Sequence, residues 1–372
     1  MSTPDANLAD IENWKVLSSF LPDGWREQAR SLGALRRARY IKDPDTVLRL
    51  LLIHLASGCS LAETAARASA SGLAKISAVG VFKRLRAAEP WLRWLAQQMH
   101  ATERPPLASI KRRLRAVDAT VVCEPGSTGS DWKVHYAVNL ANLECDYFEL
   151  TAMRQSGETF RRFAVEPGDV MMGDRVYAAP PGVAHVVHAG GDVIARLNRQ
   201  SLPLFDSKGI RIDLLPRMRR LRGYVPREFR ARVKDPNGGW IEGRLIALRR
   251  SAEATKQARR RLESRAKRNQ TTVSTQSLAF AQYLMIWTTL PPAISSIDIL
   301  DTYRLRWQIE LVFKRMKSIM GLGHLPKKDE GSAKAWLAGK LFVSLLVEKM
   351  IAYADSISPW GYDLDTKAKP LA

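Results

Sequence analysis

Apolar residues recur at three- and four-residue intervals from residue 10 to about residue 100, which predicts a helical region. The run 46–56 is apolar enough to lie in the core of that region. Ser60 and Glu63 have the spacing of a capping box and mark the start of the next helix. A basic helix follows at 77–86. This succession is compatible with helix-turn-helix DNA binding, and equally with any basic helical bundle.

After residue 105 the pattern changes to short runs rich in β-branched residues. These runs and the segments between them predict an order βββαβαβ. That order indicates a mixed α/β (α+β) fold with a ribonuclease-H-like core, a sheet flanked by helices. The predicted strands are 114–122, 132–140, 146–153, 169–173 and 192–197, and the predicted helices are 158–165 and 180–189.

Residues 198–280 interrupt this regularity with many arginines and short strand-like runs. The basic stretch 249–268 within them is either a surface that tracks phosphates or a solvated helix. A strand at 282–290, a helix capped by Ser295 and a last helix at 333–354 follow. The chain is thus predicted to comprise an N-terminal helical DNA-binding region (1–105), the first part of the core (106–197), an inserted basic, β-rich module (198–280), the second part of the core (281–355) and a tail (356–372).

The charge balance favours a polyanionic partner. The 372 residues include 58 Lys and Arg against 37 Asp and Glu, a formal net charge of +21. The 3 cysteines are far apart, so neither a disulfide framework nor a zinc knuckle is indicated. The sequence shows neither a signal pattern nor an apolar run long enough to span a bilayer. We expect a cytoplasmic, nucleoid-associated protein without a membrane partner.

The helix after Ser295 carries an unusual set of side chains. Tyr303, Arg306, Glu310 and Lys317 fall on one narrow stripe if the helix is continuous, at about 100° per residue. Glu310 can hold a metal ion, and the two cations can neutralise a nucleic-acid backbone. An ordinary amphipathic helix with a mixed-charge face is the alternative.

Two aspartates complete a possible metal site. Asp118 lies among apolar residues in a predicted strand, and Asp174 ends another strand directly after Gly173. A carboxylate in an apolar strand is unfavourable unless a cation pairs with it, and a metal ion does so. Taken singly, each carboxylate is equally explained by a salt bridge or an exposed strand end.

These residues also match a known pattern. The spacing Y-x2-R-x3-E-x6-K is the YREK signature, and the chain resembles the insertion-sequence-4-type transposases of the DDE superfamily. Val117-Asp118-Ala119-Thr120 and Gly173-Asp174-Arg175-Val176-Tyr177 resemble the first and second acidic motifs of that family. A β-rich insertion of the family fits the long gap before Glu310.

The resemblance implies roles for individual residues. Asp118, Asp174 and Glu310 would be the catalytic triad and would hold two Mg²⁺ (or Mn²⁺) ions. The implied contacts to DNA phosphates are Tyr303, Arg306, Lys317, Arg175 and Tyr177. An aromatic ring, Tyr283 or Trp287, would stack on a flipped base or simply fill the core.

The implied function is that of a DNA transposase of a bacterial insertion sequence. Such an enzyme cuts the transposon ends, forms and reopens a hairpin, and joins the ends to target DNA by phosphodiester hydrolysis and transesterification. Its partners would be double-stranded DNA, at the ends and at the target, and a second copy of the chain in a synaptic homodimer. The alternatives are a ribonuclease-H-fold DNA nuclease that does not transpose and a non-catalytic DNA-binding regulator.

Overall fold

The computed structural model describes residues 13–35, 41–99, 112–124, 131–141, 145–155, 157–318, 321, 325 and 330–357. Most of the predicted tail and most of the linker after residue 99 lie outside them. In chain order the elements are α1 (Trp25–Ser31), α2 (Pro44–Leu55), α3 (Leu61–Ala70), α4 (Ala78–Ala87), α5 (Glu89–Gln98), β1 (Arg113–Val122), β2 (Trp132–Asn139), β3 (Cys145–Ala152), β4 (Asp169–Gly173), α6 (Pro180–His188), β5 (Asp192–Arg196), α7 (Leu214–Arg219), β6 (Arg227–Arg230), β7 (Val233–Lys234), β8 (Trp240–Ile241), β9 (Arg244–Arg249), α8 (Ala252–Arg268), α9 (Thr275–Phe280), β10 (Tyr283–Thr288), α10 (Ser296–Arg304), α11 (Trp307–Ser318) and α12 (Glu330–Ile357).

Contacts divide the chain into two compact units. One unit collects Met1–Ala101, Val121–Trp132 and Arg315–Ala372, and the other collects Thr102–Thr120 and Lys133–Lys314. The first unit therefore contains α1 to α5 together with α12. The second contains most of the sheet and the residues of the predicted site, apart from Lys317.

Side-chain caps explain where the N-terminal helices begin. The hydroxyl of Ser60 accepts a hydrogen bond from the Glu63 amide at the start of α3, and Ser77 does the same for α4. The predicted capping box is only half formed, because the Glu63 carboxylate pairs with Arg67 at 2.8 Å instead. The helices predicted for this region are present.

From its position in the sequence, we predicted that the last helix belongs to the second part of the core. The structure instead groups α12 with the N-terminal helices. α12 packs on α2, α4 and α5. Gly339 permits this close approach, since a Cβ atom there would lie 2.5 Å from Leu55 Cδ1. The boundary that we predicted at residue 281 therefore does not describe the contacts of α12.

A mixed eight-stranded sheet forms the second unit, in the order β3-β2-β1-β4-β5-β10-β9-β6. Strands β1, β4 and β5 run parallel, and β10 is antiparallel to both β5 and β9. The mixed α/β class is confirmed.

The predicted helix 158–165 is wrong. Only a single 3-10 turn, Phe160–Arg162, forms there. Phe160 and Phe163 are both buried, and the Phe163 amide donates to the Phe160 carbonyl at 3.0 Å. Anchoring two aromatic rings three residues apart on the sheet favours the tighter turn over a continued α-helix.

The inserted segment is less separate and less β-rich than predicted. Its strands β6 and β9 extend the main sheet beyond β10, while β7 and β8 form a small two-stranded sheet. It also contains the 17-residue helix α8, in which no residue is fully buried. Residues of this segment such as Leu204 and Leu245 lie in the hydrophobic core of the unit.

The helix predicted to carry the YREK signature, from Tyr303 to Lys317, is not continuous. We call it the signature helix. α10 ends at Arg304 and α11 begins at Trp307. Between them the amides of Leu305 and Arg306 donate to the carbonyls of Thr302 and Tyr303, at 3.0 and 3.1 Å, which is the i to i+3 pattern of a 3-10 turn. The single stripe predicted for Tyr303, Arg306 and the residues after them is therefore replaced by two helices that meet at a turn.

Candidate active site

Asp118 lies on β1, and Asp174 directly follows the neighbouring parallel strand β4. Ala116 of β1 is opposite Met172 of β4, and each aspartate comes two residues after a member of this pair. The negative charge of Asp174 contributes to raising the pKa of Asp118. The two carboxylates are therefore near each other at the ends of paired strands.

Asp118 is held in an environment that opposes its charge. Its side chain is 20% exposed, and burial raises its pKa to about 6. A hydrogen bond from the Ala119 amide, at 2.8 Å, and the charge of Arg306 act in the opposite direction. The negative charges of Asp174 and Glu158 add to the effect of burial. Additional positive charge near Asp118 would therefore stabilise its ionised form.

Arg306 connects the third predicted carboxylate to the first. Its Nη1 lies 3.6 Å from Asp118 Oδ2, and its Nη2 pairs with Glu310. The Arg306 side chain is 17% exposed, whereas that of Glu310 is 58% exposed. The break between α10 and α11 places Arg306 in this bridging position.

Tyr303 lies beside the same group. The Arg306 guanidinium carbon is 5.9 Å from the centre of the Tyr303 ring. Burial raises the pKa of Tyr303, while the charges of Arg306 and Arg196 lower it and that of Asp174 raises it. The phenol therefore stays protonated near neutral pH. Lys317 is exposed near the end of α11, in the other unit, and its role remains a prediction.

Tyr177 is placed differently from its prediction. It is 1% exposed, and its ring centre lies 5.2 Å from that of Phe160 and 6.5 Å from that of Phe163. A side chain buried in the core cannot contact DNA phosphates from the surface, so we do not retain that role. Gly173 accommodates the ring, because a Cβ atom there would lie 2.7 Å from Tyr177 Cβ.

The two aromatic candidates, Trp287 and Tyr283, are core residues, and two histidines of α6 have hydrogen-bond partners. Trp287 is fully buried, and its indole donates to the Ala231 carbonyl at 3.3 Å, so it fills the core. His185 Nε2 lies 3.0 Å from the Phe163 carbonyl, and His188 Nε2 lies 2.6 Å from Asp235. Tyr283 is also buried.

Two residues near the carboxylates were not predicted from the sequence. Glu158 influences the pKa values of both Asp118 and Tyr177, and it pairs with Lys133 at 2.7 Å. No motif marks it. Arg196 ends β5, and its charge, like that of Asp174, acts on the pKa of Tyr303. A basic residue at a strand end carries no signal in a single sequence.

The donor atoms at this site are all carboxylate oxygens, the ligands that Mg²⁺ prefers. Asp118 and Asp174 lie near each other, since the charge of Asp174 acts on the pKa of Asp118, whereas Glu310 is paired with Arg306. Within the described ranges, no three His, Cys, Asp or Glu side chains are gathered so as to hold a metal ion as they stand. Nor does any described helix have the length and apolar character needed to cross a membrane.

Comparison with known proteins gives the family. Residues 110–346 match the family described as "Transposase DDE domain". The chain belongs to the DDE transposase family. It is an enzyme of the class that performs metal-dependent DNA cleavage and strand transfer, and this confirms the predicted function of an insertion-sequence transposase.

Similar proteins span nearly the whole chain. One is the Escherichia coli (strain K12) protein described as "Putative transposase InsL for insertion sequence element IS186A". It is 32% identical over 349 residues, which cover 91% of this chain and 94% of InsL. The transposase for insertion sequence element IS421 of Escherichia coli is 32% identical over 350 residues with the same coverage. Among solved structures, the catalytic domain of human endonuclease V aligns with 66% of this transposase and 98% of its own chain, at 14% identity and a TM-score of 0.26.

Proposed function

We propose that this transposase is of the insertion-sequence-4 type and that Asp118, Asp174 and Glu310 form its catalytic centre. The parallel pairing of β1 with β4 is the observation that carries the proposal, together with the effect of the Asp174 charge on the pKa of Asp118. Arg306 supports it, because it pairs with both Asp118 and Glu310 and so gathers the third carboxylate to the first two.

Two Mg²⁺ (or Mn²⁺) ions are the cofactors that this centre fits best. When bound, such ions activate the attacking oxygen and stabilise the leaving oxygen of a phosphodiester displacement. The buried carboxylate of Asp118 and the adjacent Asp174 supply oxygen ligands from the sheet. Glu310 supplies a third ligand from α11, where its exposed side chain is free to turn toward the sheet once Arg306 releases it.

Arg306 acts in this proposal as an exchangeable counter-ion. A DNA phosphate can replace a carboxylate as the partner of a guanidinium, because both anions accept paired hydrogen bonds from it. Binding of a phosphate by Arg306, with Tyr303 beside it, would free Asp118 and Glu310. The same event therefore positions the DNA and makes two carboxylates available.

The substrate and assembly follow from the family resemblance. The proposed substrates are the double-stranded ends of the element and the target DNA, with a hairpin intermediate between cleavage and strand transfer. Lys317 and Arg175 are proposed as further phosphate contacts. Pairing of two ends implies a homodimer, and action on chromosomal DNA implies a cytoplasmic, nucleoid-associated location.

A cleavage assay tests the assignment of the centre. DNA carrying the terminal inverted repeat of the element is incubated with Mg²⁺ and with the wild-type protein or the variants Asp118→Asn, Asp174→Asn and Glu310→Gln. Each variant should bind this DNA but cleave it roughly a thousandfold more slowly, because the stabilisation of charge at the reacting phosphate is lost.

The matched control is Asp301→Asn on α10, an exposed carboxylate that pairs only with Arg304 in the described part of the chain. This variant should cleave like the wild type. Wild-type cleavage by any of the three site variants would show that its carboxylate is not part of the centre.

A further inference from the structure

Next to the carboxylates the second unit contains a pocket of about 370 Å³ rich in arginine. We call it the arginine pocket. Its charged lining residues are Arg175, Arg196, Arg199, Arg250, Arg261 and Arg265.

The guanidinium groups of the arginine pocket are not neutralised by the protein. Among the described residues, no carboxylate forms a salt bridge with any of the six. The Nε atoms of Arg175 and Arg196 are buried and have no hydrogen-bond partner. A buried donor without an acceptor is unfavourable, and more so when it is charged. Such an arrangement is expected where an external anion supplies the missing acceptors.

Mutual repulsion confirms that these cations are close together. Burial, followed by the charges of Arg196 and Arg250, lowers the pKa of Arg175 to about 10. Burial, followed by the charges of Arg196 and Arg261, lowers the pKa of Arg250 to about 10. Both side chains remain protonated at neutral pH, so the pocket keeps its positive charge.

The sheet places the arginine pocket beside the catalytic carboxylates. Arg175 lines the pocket and directly follows Asp174 in the chain. Arg196 follows Ala195, which is opposite Gly173, the residue before Asp174. The charges of Arg196 and Asp174 both act on the pKa of Tyr303. The pocket therefore begins next to Asp174.

The walls of the pocket limit what can enter it. Arg261 and Arg265 project from the exposed helix α8 of the inserted segment. Arg199 lies over the ring of Phe280, at 3.6 Å from its centre, and is held there by this cation–π contact. A volume of about 370 Å³ accepts one or two nucleotide units of a single strand and is too small for a duplex.

We propose that the arginine pocket binds backbone phosphates of one DNA strand, within about two nucleotides of the phosphate that is cleaved. The position in the strand rests on the proposed catalytic centre, whereas the binding of phosphate rests on the pocket alone. The inserted segment thereby supplies part of the substrate site through α8.

The first test removes charge from the exposed wall. The double variant Arg261→Gln/Arg265→Gln is compared with Arg227→Gln/Arg230→Gln, which removes the same charge from strand β6, outside the pocket lining. Binding of inverted-repeat DNA is measured without divalent metal at several salt concentrations. The pocket variant should bind less tightly, with a slope of log K against log salt that is shallower by about one to two, while the control slope stays unchanged.

The second test locates the contact in the DNA. Single phosphates near the cleavage site are replaced by neutral methylphosphonates. One or two positions should weaken wild-type binding several-fold and weaken the binding of Arg261→Gln/Arg265→Gln by a clearly smaller factor, because two of the arginines that contact these phosphates are already absent.

The outcomes separate this inference from the proposed centre. If the pocket variant keeps the wild-type salt slope and loses affinity at every methylphosphonate as the wild type does, the arginine pocket does not bind the strand. That result leaves the role of the carboxylates intact, because they are tested by cleavage. If the carboxylate variants instead cleave DNA like the wild type, the proposed catalytic centre is wrong. The salt dependence of DNA binding would still test the arginine pocket.

Discussion

At the scale of single residues, the ionised side chain of Asp118 lowers the stability of the folded protein. Its pKa is about 6 in the folded protein against an ordinary value of 3.8. Because the folded state holds the proton more tightly than the unfolded state, stability decreases as the pH rises from about 4 through 6. Above that range the ionised carboxylate reduces the free energy of unfolding by about 3 kcal/mol.

Replacing Asp118 by Asn should therefore stabilise the metal-free protein. Near pH 8 the free energy of unfolding should rise by about 3 kcal/mol, and the gain should shrink to below about 1 kcal/mol near pH 4, where the wild-type carboxyl is protonated. Urea unfolding in the presence of a chelator measures both values. A variant that is no more stable than the wild type at the higher pH would contradict the burial of this charge.

Arg306 gives a second expectation at this scale. Since it pairs with Asp118 and Glu310, its replacement by Ala should leave both carboxylates without a counter-ion. In the absence of DNA, Mn²⁺ should then bind roughly five- to tenfold more tightly, as measured by calorimetry. DNA affinity should fall in the same variant.

Arg304→Gln serves as the control for Arg306, because Arg304 is exposed and pairs only with Asp301 among the described residues. Its affinity for Mn²⁺ should match that of the wild type. Unchanged or weaker binding of Mn²⁺ by Arg306→Ala would show that this arginine does not compete with metal.

At the scale of elements, the end of β4 depends on close packing at Gly173. A methyl group there would lie 2.7 Å from Tyr177 Cβ and 3.0 Å from Phe160 Cζ. Gly173→Ala should therefore lower the free energy of unfolding by about 1–3 kcal/mol. Gly157→Ala, which meets no atom within 4 Å, should change it far less. Equal thermal stability of the two variants would show that the strand end yields to the added methyl.

The elements also show what a single sequence can and cannot predict. β4 was predicted correctly, because Pro167 and Gly168 come directly before a short apolar run and Asp174 comes directly after it. The helix at 158–165 and the continuous signature helix were both wrong. In each case the period of the sequence is helical, but buried contacts favour a tighter turn, and such contacts are not visible in local patterns.

At the scale of the whole molecule, the inserted segment is part of the sheet. Strand β9 pairs with β10 along six residues, from Tyr283 to Thr288, and the segment contributes Leu204 and Leu245 to the core. Long-range strand pairing of this kind cannot be read from one sequence. The same limit explains why the packing of α12 on the N-terminal helices was not predicted.

Deletion of residues 198–280 should consequently prevent folding, because β10 loses one neighbour and the core loses apolar residues. Circular dichroism should show loss of the cooperative melt. Replacing only residues 253–267 of α8 by a short flexible linker is the control, since no residue of α8 is fully buried, and this protein should still melt cooperatively. A folded protein lacking 198–280 would show that the segment is an independent domain.

The central claim is that Asp118, Asp174 and Glu310 hold the metal ions at which DNA is cut. The most direct test replaces Asp174 by Cys and measures cleavage of inverted-repeat DNA with Mg²⁺ and with Mn²⁺. A thiolate is a poor ligand for Mg²⁺ and a better one for Mn²⁺. We expect the variant to be inactive with Mg²⁺ and substantially restored by Mn²⁺, while Asp174→Ala stays inactive with both. Equal activity of Asp174→Cys with the two metals would contradict the claim.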